Sequence, residues 1–300
     1  MRYMVIRTEN LTKFFGRQAA VRNLTLDVEP GEIFGFLGST GAGKSTVVRM
    51  LLDIVRPSVG RALVLGLDSR RNGLEIRKKV GYLPSAFSAN PGTTGAALLR
   101  YLEQLRGGVD YDDVVQLAEQ LKADLDTPFG LLKPAERQKI GIIQAFMHRP
   151  ELLILDEPTR LLDPHTQDAF SRLAQQARAE GRTIFFTSTS LTEMERLCDR
   201  TAIIHHGELI AIERGVQLRS RALRHVEMRF AGPIAAETFS RLPNLKDLRL
   251  EDNTVRCTIL GDPDALIKAV SQFRVTNFIS QTPSLEEVLL QYYGVGQNAA

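Results

Sequence analysis

From Tyr3 to about Ile212, short apolar runs alternate with longer amphipathic stretches. The runs at Ile33–Leu37, Val80–Leu83, Leu152–Asp156, Thr183–Thr187 and Ala202–His205 are apolar almost without interruption. Such runs suit strands buried on both faces of a parallel sheet, and the stretches between them suit covering helices, so the pattern predicts an α/β fold. Two earlier segments, near Tyr3–Thr8 and Arg22–Val28, alternate in polarity and predict antiparallel strands with one wet face. From about Ser85 to Lys133 the periodicity is helical (ALLRYLEQLRG, then DDVVQLAEQLKADL) with no clear strand, which predicts a helical insertion in the α/β core.

After Arg219 the texture changes. VEMRF predicts a strand, PIAAETFSRL a helix, and DLRLE and VRCTIL two strands split at Asp252–Asn253. A helix is predicted from Pro263, with Asp262 placed to cap it, followed by the strand VTNFIS. The last predicted helix, SLEEVLLQYY, opens with Ser284 and Glu287 at capping-box spacing and precedes Gly294. The order βαββαβ predicts a small ferredoxin-like α+β domain over residues 219–300, behind a larger domain over residues 1–218.

A chain of 300 residues has room for both, and with 43% hydrophobic residues it can bury a substantial core. The formal charge of +3 is mild: it allows contact with nucleotides or a membrane surface, and no nucleic-acid partner is expected. The densest basic run, Arg219, Arg221, Arg224 and Arg229, reads as a solvated connector. Cys198 and Cys257 match no metal or redox spacing and read as reduced thiols of a cytoplasmic protein. No apolar run is long enough to span a bilayer, and the start, MRYMVIRTENLTKFFG, lacks the apolar segment of a signal peptide.

The strongest chemical signal lies at Gly38–Thr46, GSTGAGKST, directly after the apolar run IFGFL and before the helical pattern VVRMLLDIV. Successive backbone N–H groups of such a loop cradle phosphates, and the following helix N-terminus adds a favourable dipole. The loop residues Gly38, Ser39, Thr40, Gly41, Ala42, Gly43, Lys44, Ser45 and Thr46 are therefore assigned to nucleotide binding. Glycine at 41 and 43 lets the backbone approach a phosphate, Lys44 can reach the β- and γ-phosphates, and the Ser45 hydroxyl can hold Mg²⁺. The pattern arises by chance in roughly one chain of this length in a hundred. A second signal is LLILDEP, a buried strand ending at Asp156, whose carboxylate can hold Mg²⁺ through water. Glu157, one residue further, is placed to orient an attacking water, which makes it the catalytic candidate.

With GSTGAGKST, LLILDEPTRLLDP and LCDRTAIIHHGELI in this order and spacing, the chain resembles the ATP-binding subunits of ATP-binding cassette (ABC) transporters over residues 3 to about 215. The tail, PSLEEVLLQYYG, is similar to the C-terminal domain attached to such subunits in drug-resistance exporters. The resemblance implies a P-loop NTPase core with an antiparallel β subdomain and a helical insertion at about 85–135. It implies an ATPase working with ATP and Mg²⁺ at the cytoplasmic face of the cell membrane, peripheral to membrane-spanning transporter subunits. It also implies that Phe15, just before Gly16, stacks on adenine; Phe14 is the neighbouring option, and a place in the core is the competing explanation for Phe15.

In this family two ATP-binding subunits meet head to tail, each ATP lying between one phosphate loop and a Leu-Ser-Gly-Gly-Gln turn of the other subunit. That turn falls on Leu132–Glu136, which reads LKPAE. Pro134 withholds an N–H and Glu136 brings a negative charge to a place where the family grips an anion. Ser85 stands where the family has Gln, Thr189 where it has His, and Arg160-Leu161-Leu162 before Asp163 where it has small residues. Losing one preorganised donor typically costs about 10²–10³ in rate. Intact ATP and Mg²⁺ binding with slow hydrolysis is therefore expected, in a homodimer or in a pair with a more regular second ATP-binding subunit. The alternative is a regulatory subunit that binds ATP with little or no hydrolysis. A soluble ABC protein acting on ribosomes or DNA would carry two cassettes or long coiled coils, and neither is written here.

Overall fold

The computed structural model describes residues 3–107, 109–214, 223–239, 242, 244–281 and 287. The chain divides into two compact units, Met1–Ile212 and Glu213–Ala300.

In the first unit, β1 (Ile6–Phe15) and β2 (Gln18–Val28) form an antiparallel hairpin, and β4 (Val59–Val64) and β5 (Leu67–Asp68) complete a four-stranded sheet in the order β2-β1-β4-β5. A six-stranded sheet contains β3 (Ile33–Leu37), β6 (Val80–Leu83), β7 (Leu152–Asp156), β8 (Thr183–Ser188), β9 (Arg200–His205) and β10 (Glu208–Arg214), in the order β10-β9-β3-β8-β7-β6. Its inner pairs β9/β3, β3/β8, β8/β7 and β7/β6 are all parallel. Every residue of β3, β7 and β8 is buried, as expected for parallel strands covered on both faces. Phe34 stacks on Phe185 at 5.9 Å between ring centroids, tying neighbouring strands through one face. The predicted Ile33–Leu37, Val80–Leu83 and Leu152–Asp156 are strands over those same residues.

The helices of this unit are α1 (Lys44–Leu51), α2 (Ser69–Lys79), α3 (Gly95–Arg106), α4 (Tyr111–Leu121), α5 (Pro134–Phe146), α6 (Pro164–Ala179) and α7 (Leu191–Leu197). Helices α3 and α4 fall in the insertion predicted over about 85–135, whose described residues add only an isolated bridge between Thr94 and Pro128, and α5 begins where it ends. Because β3, β6, β7 and β8 run in parallel, their carboxyl ends open on one edge of the sheet. That edge is where open α/β sheets bind ligands.

In the second unit, β11 (Leu223–Phe230), β12 (Leu245–Glu251), β13 (Thr254–Leu260) and β14 (Val275–Gln281) pair in the order β12-β13-β11-β14, all antiparallel. This is the ferredoxin-like order. Helix α8 (Asp264–Val270) packs Leu266 and Val270 into a core with Val226, Met228, Phe230 and Val255. The Asp262 carboxylate accepts the Asp264 N–H at 2.9 Å, as predicted, although the helix cap itself is Pro263. The predicted helix PIAAETFSRL is a correction: its described residues hold only a 3-10 turn at Ala236–Thr238. Pro233 and the short apolar spacing support one turn and no full amphipathic face. The predicted helix SLEEVLLQYY lies outside the described residues apart from Glu287.

Candidate functional site

The loop between β3 and α1 is held from behind. The Gly38 N–H donates to the Ser188 carbonyl at 3.2 Å, and the Gly207 N–H donates to the Ala42 carbonyl at 3.0 Å. A side chain at Gly43, which has φ +104°, would put its Cβ 2.4 Å from the Ala20 carbonyl oxygen, so only glycine fits. Gly41 has φ +84° and faces open space, the side on which a ligand can approach. Ala42 packs into the core, which anchors the loop against β2 and β9.

Lys44 opens α1 and folds back over the loop, its ammonium donating to the Gly38 carbonyl at 2.7 Å and the Ser39 carbonyl at 3.1 Å. The same Nζ lies 3.0 Å from Glu157 Oε1, with both side chains nearly buried. Lys44, Ser45 and Thr46 of α1 surround a cavity of about 220 Å³ with Thr40, Gly41, Gly43, Ser85, Glu157 and Arg160. The structure therefore brings the two sequence signals, GSTGAGKST and LLILDEP, to one place.

Asp156 ends β7 almost fully buried, and its Oδ1 accepts the Thr187 hydroxyl at 2.7 Å. Thr187 Oγ1 in turn accepts the Glu157 N–H at 3.0 Å. One hydroxyl thus fixes both acidic residues from the neighbouring strand β8. Glu157 sits at φ +53°, a left-handed conformation that costs a non-glycine residue about 1–3 kcal/mol. The surroundings over-determine it: its N–H is held by Thr187, and Gln138 Nε2 of α5 reaches its carbonyl at 3.4 Å and that of Pro158 at 3.2 Å. Glu193 of α7 braces the same turn, accepting from the Thr159 and Ser188 hydroxyls, each at 2.6 Å. Burial pushes the Glu193 carboxyl above its ordinary range, those two hydrogen bonds pull it back, and the Glu157 charge pushes it further up. Sequence reasoning missed Thr187, Gln138 and Glu193. The first two were visible only as polar residues inside or beside apolar runs.

Among the described residues no cluster of three acidic, histidine or cysteine side chains could cage a metal. A buried carboxylate at Asp156 and a hydroxyl at Ser45 are nevertheless hard oxygen donors of the kind Mg²⁺ takes when substrate phosphates supply the other ligands. The residues present fit the ion.

Phe15 ends β1 and is 54% exposed, with the Lys13 ammonium 5.1 Å from its ring centroid, so it is not a core residue. Neither Phe15 nor Phe14 lines the cavity, but Ala20, on the partner strand of the same hairpin, does. At the turn LKPAE, α5 begins at Pro134 with no side-chain cap on Lys133. Glu136 points to Lys139, 2.8 Å away, and accepts the Asp124 N–H at 3.3 Å. Its charge is engaged inside the helical insertion.

The sequence profile of the ABC transporter family matches residues 21–160. The chain is 34% identical over 256 residues to the bacitracin transport ATP-binding protein BcrA of Enterococcus faecalis, covering 84% of this chain and 83% of that protein. The chain belongs to the ATP-binding subunits of ABC transporters. It is also 30% identical over 298 residues to the Nod factor export ATP-binding protein I of Rhizobium johnstonii, covering 97% of this chain and 95% of that one. The linearmycin resistance ATP-binding protein LnrL of Bacillus subtilis is 32% identical over 226 residues, 72% of this chain and 71% of that one. The solved ATP-binding subunit of an ABC transporter superposes with a TM-score of 0.64 at 25% identity, over 70% of this chain and 90% of that chain. A dimeric cassette in a post-hydrolysis state with ADP and Pi superposes with a TM-score of 0.63 at 19% identity, over 70% of this chain and 98% of that chain, which bears on the fold alone. This ABC subunit is thus a member of an ATPase family whose fold it shares. No helix among its described residues is long and apolar enough to cross a membrane.

Proposed function

We propose that this chain is the ATP-binding subunit of an exporter, peripheral to the cytoplasmic face of the membrane, coupling ATP binding and slow hydrolysis to transport through membrane-spanning partners. The observation that carries the reading is the meeting of Lys44 and Glu157 at 3.0 Å in one cavity, with Asp156 fixed beside them. Export is supported by the relatives named for bacitracin transport and Nod factor export.

In the proposed reaction, the N–H groups of Gly38–Gly43 hold the phosphates, and Lys44 neutralises charge on the β and γ groups. Glu157, released from Lys44 when phosphate takes that ammonium, orients a water. The water oxygen bonds to the γ-phosphorus as the bond from phosphorus to the bridging oxygen breaks, and the water's proton passes to Glu157 and then to the released phosphate. Mg²⁺, when held by Ser45 and Asp156, supplies charge neutralisation on the phosphates. Phe15, exposed at the hairpin tip, stacks on adenine.

Turnover is slow because LKPAE presents Pro134 and an engaged Glu136, and Ser85 and Thr189 are short. We infer a head-to-tail pair with a second, more regular ATP-binding subunit. The test is to isolate the complex from membranes, count its subunits and measure ATP binding and turnover separately. One copy of this chain beside a different ATP-binding subunit is expected. Two copies with brisk hydrolysis would overturn the paired, slow reading.

A further inference from the structure

We propose that Arg160 is a further catalytic residue of this site, a cation supplied by the chain's own β7–α6 turn that contacts the γ-phosphate of bound ATP. The inference rests on the nucleotide-site reading above and adds a residue to it.

The backbone around Arg160 is fixed on both sides. Before it, the Thr159 hydroxyl is bonded to Glu193, and the Arg160 N–H itself donates to the Glu157 carbonyl at 3.4 Å. After it, Leu162 is buried and its N–H donates to the Thr159 carbonyl at 3.0 Å, while Gln167 Nε2 reaches the Leu162 carbonyl at 3.0 Å. Asp163 then caps α6, accepting the Thr166 N–H at 3.1 Å and the Thr166 hydroxyl at 2.6 Å. The turn's backbone is hydrogen-bonded on both sides of Arg160, and the Arg160 side chain extends from it exposed.

Arg160 lines the same cavity as Lys44, Ser45 and Glu157. Its charge is unspent: among the described residues no ion pair or hydrogen bond engages its guanidinium. The Lys44 ammonium, by contrast, already has Glu157 at 3.0 Å. A triphosphate brings more negative charge than one lysine and a Mg²⁺ ion, when held by Ser45 and Asp156, would together offset. A guanidinium is always charged and presents a planar fork that matches two phosphate oxygens, whereas Ser85, on the same cavity, ends one carbon from its backbone. Charge on the transferring oxygens grows toward the transition state, so a cation there serves hydrolysis as well as binding.

The contact is selective for the third phosphate, which gives the test its control. Equilibrium Kd values for ATP and ADP are measured on the full chain, with Arg160→Ala, Arg160→Gln and Arg160→Lys variants. The same variants are assayed for single-turnover hydrolysis in the isolated complex. In Arg160→Ala and Arg160→Gln, ATP affinity is expected to fall about tenfold with ADP affinity within twofold, and the hydrolysis rate to fall about 10²–10³-fold. Arg160→Lys, keeping the charge without the fork, is expected to fall between. An unchanged ATP/ADP preference in both neutral variants overturns the proposal, and so does an equal loss of both affinities, which marks a structural role. If the unaltered chain binds neither nucleotide, it is the nucleotide-site reading that fails.

Discussion

Thr187 positions both acidic residues of the proposed chemistry from a neighbouring strand. Its single hydroxyl donates to Asp156 and accepts from the N–H of Glu157, whose backbone is held in a left-handed conformation. Valine keeps the shape and removes both bonds, leaving a buried N–H without an acceptor. Thr187→Val is therefore expected to cost about 1–3 kcal/mol in urea denaturation of the full chain. It should slow hydrolysis more than it weakens ATP binding, because the loop that grips phosphate is held by other contacts. Equal effects on both would place the role of Thr187 in folding alone. The glycines and Lys44 were legible because a phosphate cradle needs those residue types at that spacing. Thr187 and Glu193 were not, because a buried hydroxyl or carboxyl has no spacing rule and its partners come from other strands. Phe15 shows the opposite limit: the sequence left it between an adenine-stacking role and a place in the core, and the β1–β2 hairpin exposes it, which removes the core explanation.

At the scale of elements, the apolar parallel strands were legible, three of them to the residue and the predicted Thr183–Thr187 and Ala202–His205 within two residues of Thr183–Ser188 and Arg200–His205, whereas β4, β5 and β10 were not predicted at all. Those three lie at or near sheet edges with mixed burial, and Val59–Val64 begins with three exposed residues, so no periodicity marks them. Helix α5 was legible from Pro134 at its first position, but the engagement of Glu136 was not, since Asp124 comes from a distant loop. Glu136 is the carboxylate paired with the largely buried Lys139. Glu136→Ala should lower stability by about 1–3 kcal/mol in the same denaturation assay. A stability change near zero would mean that the Lys122 carbonyl, at 3.1 Å, satisfies Lys139 by itself. Just beyond α5, burial and the positive charge of Arg106 push His148 down to about 4 from its ordinary 6.5. The folded chain favours neutral His148, so its stabilising contribution is whole above about pH 6.5 and is lost as pH falls through about 4. Stability measured across that window should fall less steeply in His148→Gln than in the unaltered chain, and parallel curves would contradict the assignment.

For the whole molecule, the sequence placed an α/β unit before a small α+β unit, and the chain divides at Ile212–Glu213 with a four-stranded antiparallel sheet in the second part. The predicted order of elements fits that sheet, and among its described residues the first predicted helix holds only a 3-10 turn at Ala236–Thr238. Membership of the ABC family rests on the relatives. The claim that this member binds ATP fully and hydrolyses it slowly rests on the residues: an intact phosphate loop, a Glu157 held in place, and the turn LKPAE, whose one carboxylate is engaged by Lys139 and the Asp124 N–H. The most direct measurement pairs equilibrium Mg-ATP binding with single-turnover hydrolysis on the isolated complex, for the unaltered chain, Lys44→Ala and Glu157→Gln. The account predicts saturable binding that Lys44→Ala abolishes, and slow hydrolysis that Glu157→Gln lowers about 10²–10³-fold while binding persists. Hydrolysis unchanged by Glu157→Gln, or binding unchanged by Lys44→Ala, would contradict it.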